Sequence, residues 1–158
     1  MATIVIIYDS VTGNTERMAR AIAEGIETVK DVKSILKKIG EPFSLNIIKS
    51  ADGIVLGSPV HYANVTSKMR DFLRSLEEEK KASRINLEGK IGAVFGSYGW
   101  DGGIAIDVFS DVFTSLGVVI QPNITANVDQ LGFPSISNKS LEYWREYGSM
   151  LSRKVKSR

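Results

Sequence analysis

The chain has 158 residues, 43% of them hydrophobic, enough for one globular domain with a full core, so a single domain over 1–158 is expected. It holds no cysteine and one histidine, which removes disulfides, iron–sulfur clusters, thiolate metal sites and cysteine nucleophiles, and makes no case for a bound transition metal. Lysine and arginine number 20 against 18 acidic residues, and much of the surplus is Arg153, Lys154, Lys156 and Arg158 at the C-terminus. A nucleic-acid partner would want basic residues interleaved with aromatics on one face, and no such patch is present. No apolar run is long enough to cross a membrane. The N-terminus enters a strand without a basic leader, so a cytoplasmic location is expected, with neither membrane nor nucleic acid as partner.

Residues 3–8, Thr-Ile-Val-Ile-Ile-Tyr, form an apolar run rich in β-branched side chains and read as a buried strand. Residues 16–29 follow as a helix with Met18, Ile22, Ile26 and Val29 on one face. Residues 31–39 fit a helix or a strand; the lysines suit an exposed edge strand, which is the reading adopted. Gly40, Glu41 and Pro42 break the chain before a short helix over 44–50. Residues 53–57 are a second buried strand, ended by Ser58 and Pro59, with a loop expected from 60 to 65. Thr66 or Ser67 caps a helix that carries Met69, Phe72, Leu73 and Leu76 at i, i+3, i+4 and i+7. Residues 91–96 make another strand, and 97–103 a glycine-rich loop. A helix follows with Ala105, Phe109, Val112, Phe113 and Leu116 expected on its buried side, and Val118, Val119 and Ile120 begin the last strand. Residues 122–137 lack a pattern and read as a surface excursion with a functional or interface role. The last helix starts near 138–140 and buries Leu141, Trp144, Leu151 and Val155.

Apolar strands alternating with amphipathic helices predict a doubly wound α/β sandwich around a parallel sheet. The first strand-to-helix junction carries Ser10, Val11, Thr12, Gly13, Asn14 and Thr15. A helix N-terminus there presents free amides and a favourable dipole to an anion. The junction has neither the lysine of a triphosphate loop nor the repeated glycines of a dinucleotide loop. Neutral donors from Ser10, Thr12, Asn14 and Thr15 suit a terminal monophosphate. An ordinary cap, with Asn14 or Thr15 satisfying the first turn, is the plain alternative.

In a parallel sheet the loops after the first, third and fourth strands emerge at one edge. The second of these, 58–65, offers His61 and Tyr62, and the third, 97–103, offers Tyr98 and Trp100, side chains suited to sandwiching a planar ring. Gly99, Gly102 and Gly103 allow close backbone approach. One loop for phosphate and two for a ring fit a mononucleotide.

The S-x-T-G-N-T run at 10–15 resembles the phosphate loop of flavodoxin-like FMN proteins, matching at Ser10, Thr12, Gly13, Asn14 and Thr15. Gly57, Ser58, Pro59, Val60, Asn64 and Val65, with Met69, Phe72 and Leu73 beyond, are similar to a segment of flavodoxin-related NAD(P)H:quinone oxidoreductases. The F-G-S-Y-G-W-D-G-G run at 95–103 is similar to one in the flavodoxin domain of flavodiiron proteins. The resemblance implies a five-stranded parallel sheet of order 2-1-3-4-5 and FMN as cofactor. It places the cofactor-binding residues at Ser10, Thr12, Gly13, Asn14, Thr15, Pro59, Val60, His61, Tyr62, Asn64, Ser97, Tyr98, Gly99, Trp100, Gly102 and Gly103, with no side chain assigned as catalytic.

Three departures qualify the resemblance. One histidine cannot build a di-iron centre, and the chain lacks the acidic surface of many flavodoxins. The family often places a glycine in the loop after strand 3, where a peptide carbonyl meets the reduced ring. None stands between Gly57 and Val65, and of the nearest substitutes, Ala63 and Asn64, asparagine tolerates a left-handed backbone better. The implied consequence is weaker stabilisation of the one-electron state. The leading expectation is a flavodoxin-type electron carrier serving redox partner proteins. The first alternative is an NAD(P)H-dependent quinone or FMN oxidoreductase, for which a homo-oligomer would complete the pocket. The second is a flavin-binding module without turnover.

Overall fold

The computed structural model describes all residues except 43, 62, 100–102 and 128–137. The described elements are β1 (Ala2–Tyr8), α1 (Asn14–Glu27), β2 (Val32–Lys38), α2 (Asn46–Ser50), β3 (Gly53–His61), β4 (Asn64–Val65), α3 (Ser67–Lys81), β5 (Ile91–Tyr98), α4 (Ile104–Thr114), β6 (Val119–Ile120), β7 (Ile124–Asn127) and α5 (Asn138–Lys156). The sheet runs β2-β1-β3-β5-β6, and every pairing along this path is parallel. β7 continues the fifth position beside β5, and β4 folds back antiparallel on β3. This is the doubly wound order expected, with the last strand in two pieces. Residues 31–39 resolve in favour of the edge strand.

Side chains of a strand alternate between faces, so a fully apolar strand must be covered on both. β1 shows this directly. Ile4, Ile6 and Tyr8 pack with Met18, Ile22 and Ile26 of α1 and Trp144, Leu151 and Val155 of α5. Val5 and Ile7 pack on the opposite face with Met69, Leu73 and Leu76 of α3 and Ile106, Phe109 and Phe113 of α4. Two cores therefore share one sheet, and α1 and α5 approach each other at bare backbone. A Cβ on Gly25 would stand 1.8 Å from the carbonyl oxygen of Arg145, and one on Gly148 2.0 Å from that of Ile22.

Several boundaries differ from expectation. β3 does not stop at Gly57 but continues through Ser58 and Pro59 to His61, then returns as β4, so 58–65 is largely a hairpin. Tyr8 is the last residue of β1 paired with β3, opposite Gly57, while Pro59 still pairs with Ser97. At Ser58 and Pro59 the strand pairs with β5 alone, and a residue lacking an N–H is tolerated there. β5 likewise takes in Ser97 and Tyr98, which pair with Ala126 and Asn127 of β7. β7 therefore occupies part of the expected excursion, and 128–137 lie outside the described residues. Val112, expected on the buried side of α4, is 40% exposed. α1 begins at Asn14, two residues earlier than the apolar periodicity indicates.

Candidate functional site at the carboxyl edge of the sheet

The turn from β1 to α1 is held from both ends. Tyr8 Oη donates to Glu16 Oε1 at 2.8 Å, so the last strand residue is tied to the first turn of the helix across the loop. Burial, and then this carboxylate, push the Tyr8 hydroxyl up to about 12. Within the loop, Asp9 Oδ1 accepts the Ser10 N–H at 2.9 Å, and Ser10 Oγ accepts the Glu16 N–H at 3.3 Å. Gly13 is the N-cap, in the left-handed region at φ 98°, a conformation open to glycine without a Cβ penalty. It has no side chain to bond the first turn. Asn14 and Thr15 stand inside the helix and are buried, so neither is the cap residue of the plain alternative. Amides in the first turn of a helix have no intrahelical acceptor. Ser10 is half-buried and Thr12 exposed beside them.

The three loops do share one edge. Thr15 Oγ1 and Ser97 Oγ lie 3.0 Å apart in a buried hydrogen bond, which joins the start of α1 to the end of β5. Pro59, in register with Ser97, places the end of β3 between them in sequence of strands. Ser58 fixes the hairpin base. Its Oγ donates to the Pro59 carbonyl at 2.8 Å and accepts the Thr66 N–H at 3.1 Å, while Thr66 Oγ1 caps α3 by accepting the Met69 N–H at 3.3 Å. Val60 pairs with Val65 and His61 with Asn64, so the chain reverses between His61 and Asn64. Ala63, not Asn64, takes the left-handed backbone, at φ 58°, and corrects the expectation for that loop. A two-residue reversal needs positive φ in its connection, and Asn64 is committed to the β4 ladder.

Tyr98 is half-buried at the end of β5 with Gly99 after it. Gly103 caps α4 in the left-handed region at φ 87°, and a Cβ there would come to 3.4 Å from Thr125 Cγ2 and 3.7 Å from the Tyr98 ring. His61 is exposed at the hairpin end. Tyr62, Trp100 and Gly102 lie outside the described residues. Sequence reasoning passed over Asp9, Glu16 and Ser58, which bind no ligand in the expected scheme but set the loops. For Asp9 a signal existed, since Asp before a Ser/Thr-rich turn commonly bonds nearby backbone.

The site thus lies where open α/β sheets hold ligands, beyond the carboxyl ends of the strands, and flavodoxin is itself the standard example of this rule. The same arrangement recurs in a flavodoxin from the domain Archaea, 31% identical, with TM-score 0.82 over 98% of this chain and 99% of that one. The family model for the flavodoxin domain matches residues 5–94, and this chain belongs to the flavodoxin family, whose members bind a flavin. It is 34% identical to a flavodoxin of Aquifex aeolicus over 104 residues, 65% of this chain and 54% of that protein. It is 38% identical over 104 residues to the type A flavoprotein fprA of Rhodobacter capsulatus, covering 63% of this chain and 22% of that one. The match spans about half the length of the curated flavodoxin and about a fifth of the type A flavoprotein.

Proposed function

We propose that this chain is an FMN-binding electron carrier of flavodoxin type, working as one domain over 1–158 in the cytoplasm and exchanging electrons with redox partner proteins. The observation that carries the reading is the glycine-capped start of α1, hydrogen-bonded through Thr15 to Ser97 at the end of β5. The donor chemistry fits a phosphate monoester. The N-terminal end of the α1 dipole and the hydroxyls of Ser10 and Thr12 are neutral partners for an anion, and the buried carboxylate of Asp9 already accepts the Ser10 amide. In this reading residues 10, 12, 13, 14 and 15 hold the phosphate. Pro59, Val60, His61, Tyr62 and Asn64 from the hairpin, with Ser97, Tyr98, Gly99, Trp100, Gly102 and Gly103, hold the ring.

Bound FMN would supply the electron transfer, and the chain's part is to hold, orient and shield it. Tyr8, Glu16, Asp9 and Ser58 keep the loops in place before any ligand arrives, which lowers the ordering cost of binding. The Ala63 backbone stands in for the glycine of the usual loop.

The test is titration of the purified protein with FMN and with riboflavin, which lacks the phosphate, followed by flavin fluorescence. FMN is expected to bind at least tenfold more tightly. Equal affinities, or no uptake of either, would remove the phosphate assignment. Anaerobic mixing of the loaded protein with NADH or NADPH then separates the carrier from an NAD(P)H-dependent oxidoreductase. Persistence of the yellow colour supports the carrier, and rapid bleaching supports the enzyme.

A further inference from the structure

Helix α4 buries Ile106, Phe109 and Phe113 but turns a second apolar stripe outward. Ile104 is 67% exposed, Val108 58% and Val112 40%, at i, i+4 and i+8. The stripe forms one lip of a groove of about 420 Å³ between α3 and α4, whose other lip carries Arg70, Arg74 and Glu77. β-branched residues in such a row cost helix propensity and gain nothing from water. A contiguous apolar patch with a charged rim marks an interaction surface.

The charges around the stripe identify the partner. On the helical wheel Asp107 and Asp111 flank Val108 and Val112 on the side away from the groove, and both are exposed. Arg70 and Arg74 lie across the groove on the other side, also exposed; Asp71 holds Arg74 only loosely, at 3.4 Å. Two arginines and Glu77 therefore stand on one flank, and two aspartates on the other, of which Asp107 also accepts from Asn123 Nδ2 at 2.8 Å. Arg70 and Arg74 are the fourth and eighth residues of α3, and Asp107 and Asp111 are the fourth and eighth of α4.

We infer that this face binds a second copy of the chain about a twofold axis running along α4. Such an axis exchanges left and right while keeping the helix direction. The α4 of one copy then enters the groove of the other, with its aspartates beside the partner's arginines, in both directions at once. An axis across the helix would instead set arginine against arginine and aspartate against aspartate. The charge pattern thus selects the parallel arrangement and disfavours the antiparallel one. The groove ends at Ala63, Asn64 and Val65, beside the hairpin proposed to hold the ring, so self-association is measured on the protein free of flavin.

Sedimentation velocity over a concentration series is expected to show a monomer–dimer equilibrium for the full chain. Val108→Asp, at an exposed site that leaves folding intact by circular dichroism, should weaken dimerisation at least tenfold. Arg74→Glu and Asp111→Lys should each do the same, because each places like charges together twice in a twofold dimer. Mixing these two variants should restore association, since the unlike pair recovers opposite charges at both contacts. A wild-type monomer at all concentrations, a dimer indifferent to Val108→Asp, or a mixture no more associated than its components would each overturn the inference. Capture of a different protein by the same groove without self-association would overturn it too.

Discussion

Tyr8 and Ala63 show how single residues hold the candidate site in shape. The Tyr8 hydroxyl is buried at the end of β1 and bonded to Glu16, which raises it from 10.0 to about 12. The folded chain keeps this proton more tightly than the unfolded one, so the contribution is complete below pH 10 and disappears as pH rises through about 12. Unfolding free energy of the wild type is expected to fall more steeply over that interval than that of Tyr8→Phe. Denaturant titrations at a series of pH values measure the difference, and parallel curves would show that the hydroxyl is not the sensitive group. Ala63 bears a left-handed backbone that costs an L-residue roughly 1–2 kcal/mol. Ala63→Gly relieves this but loosens the unfolded chain, so stability should change by less than about 1 kcal/mol. Ala63→Val, β-branched at positive φ, should destabilise by about 1–2 kcal/mol more than Ala63→Gly.

Among the elements, the α1–α5 pair has the least tolerance. Gly25 and Gly148 let the two helices touch backbone to backbone, and a methyl at either position would overlap a carbonyl oxygen. Gly25→Ala and Gly148→Ala are each expected to cost about 3 kcal/mol, the upper end of overpacking penalties, despite alanine's better helix propensity. The double variant should cost less than the sum, because either methyl alone already forces the helices apart. Thermal or denaturant unfolding decides this, and strict additivity would mean that the two contacts yield independently. On the opposite face α3 is started by its Thr66 cap, and Thr66→Ala should remove about 1 kcal/mol while leaving the bond from the residue-66 backbone N–H to Ser58 at the hairpin base.

For the whole molecule, the proposed cofactor binds where elements from three βα units meet, so its binding energy should appear as stability of the fold. FMN at a hundredfold excess over its Kd is expected to stabilise the native state by about 2.7 kcal/mol. Riboflavin at the same concentration should give a smaller rise in Tm, and Thr15→Val, which breaks the bond to Ser97, should narrow the gap between the two ligands. An identical rise with both ligands would mean that the α1 N-terminus takes no part. No helix among the described residues is long and apolar enough to cross a membrane.

The alternation of elements, the two apolar faces of β1, the edge character of β2 and the glycine-bearing junction at 10–15 are legible along the chain. These are local properties: periodicity, β-branching and turn chemistry act within a few residues. Tertiary structure alone decided the rest. Whether 58–65 is a loop or a hairpin depended on where β1 stops beside β3, and the split of the last strand depended on pairing with β5. The outward turn of Val112 depended on where α4 lies against its neighbours. The proximity of Thr15 and Ser97, 82 positions apart, arises from strand order, which alternation alone does not specify. Donor types at the candidate site are a matter of residue chemistry, and their convergence is a matter of which strands the folded sheet places side by side.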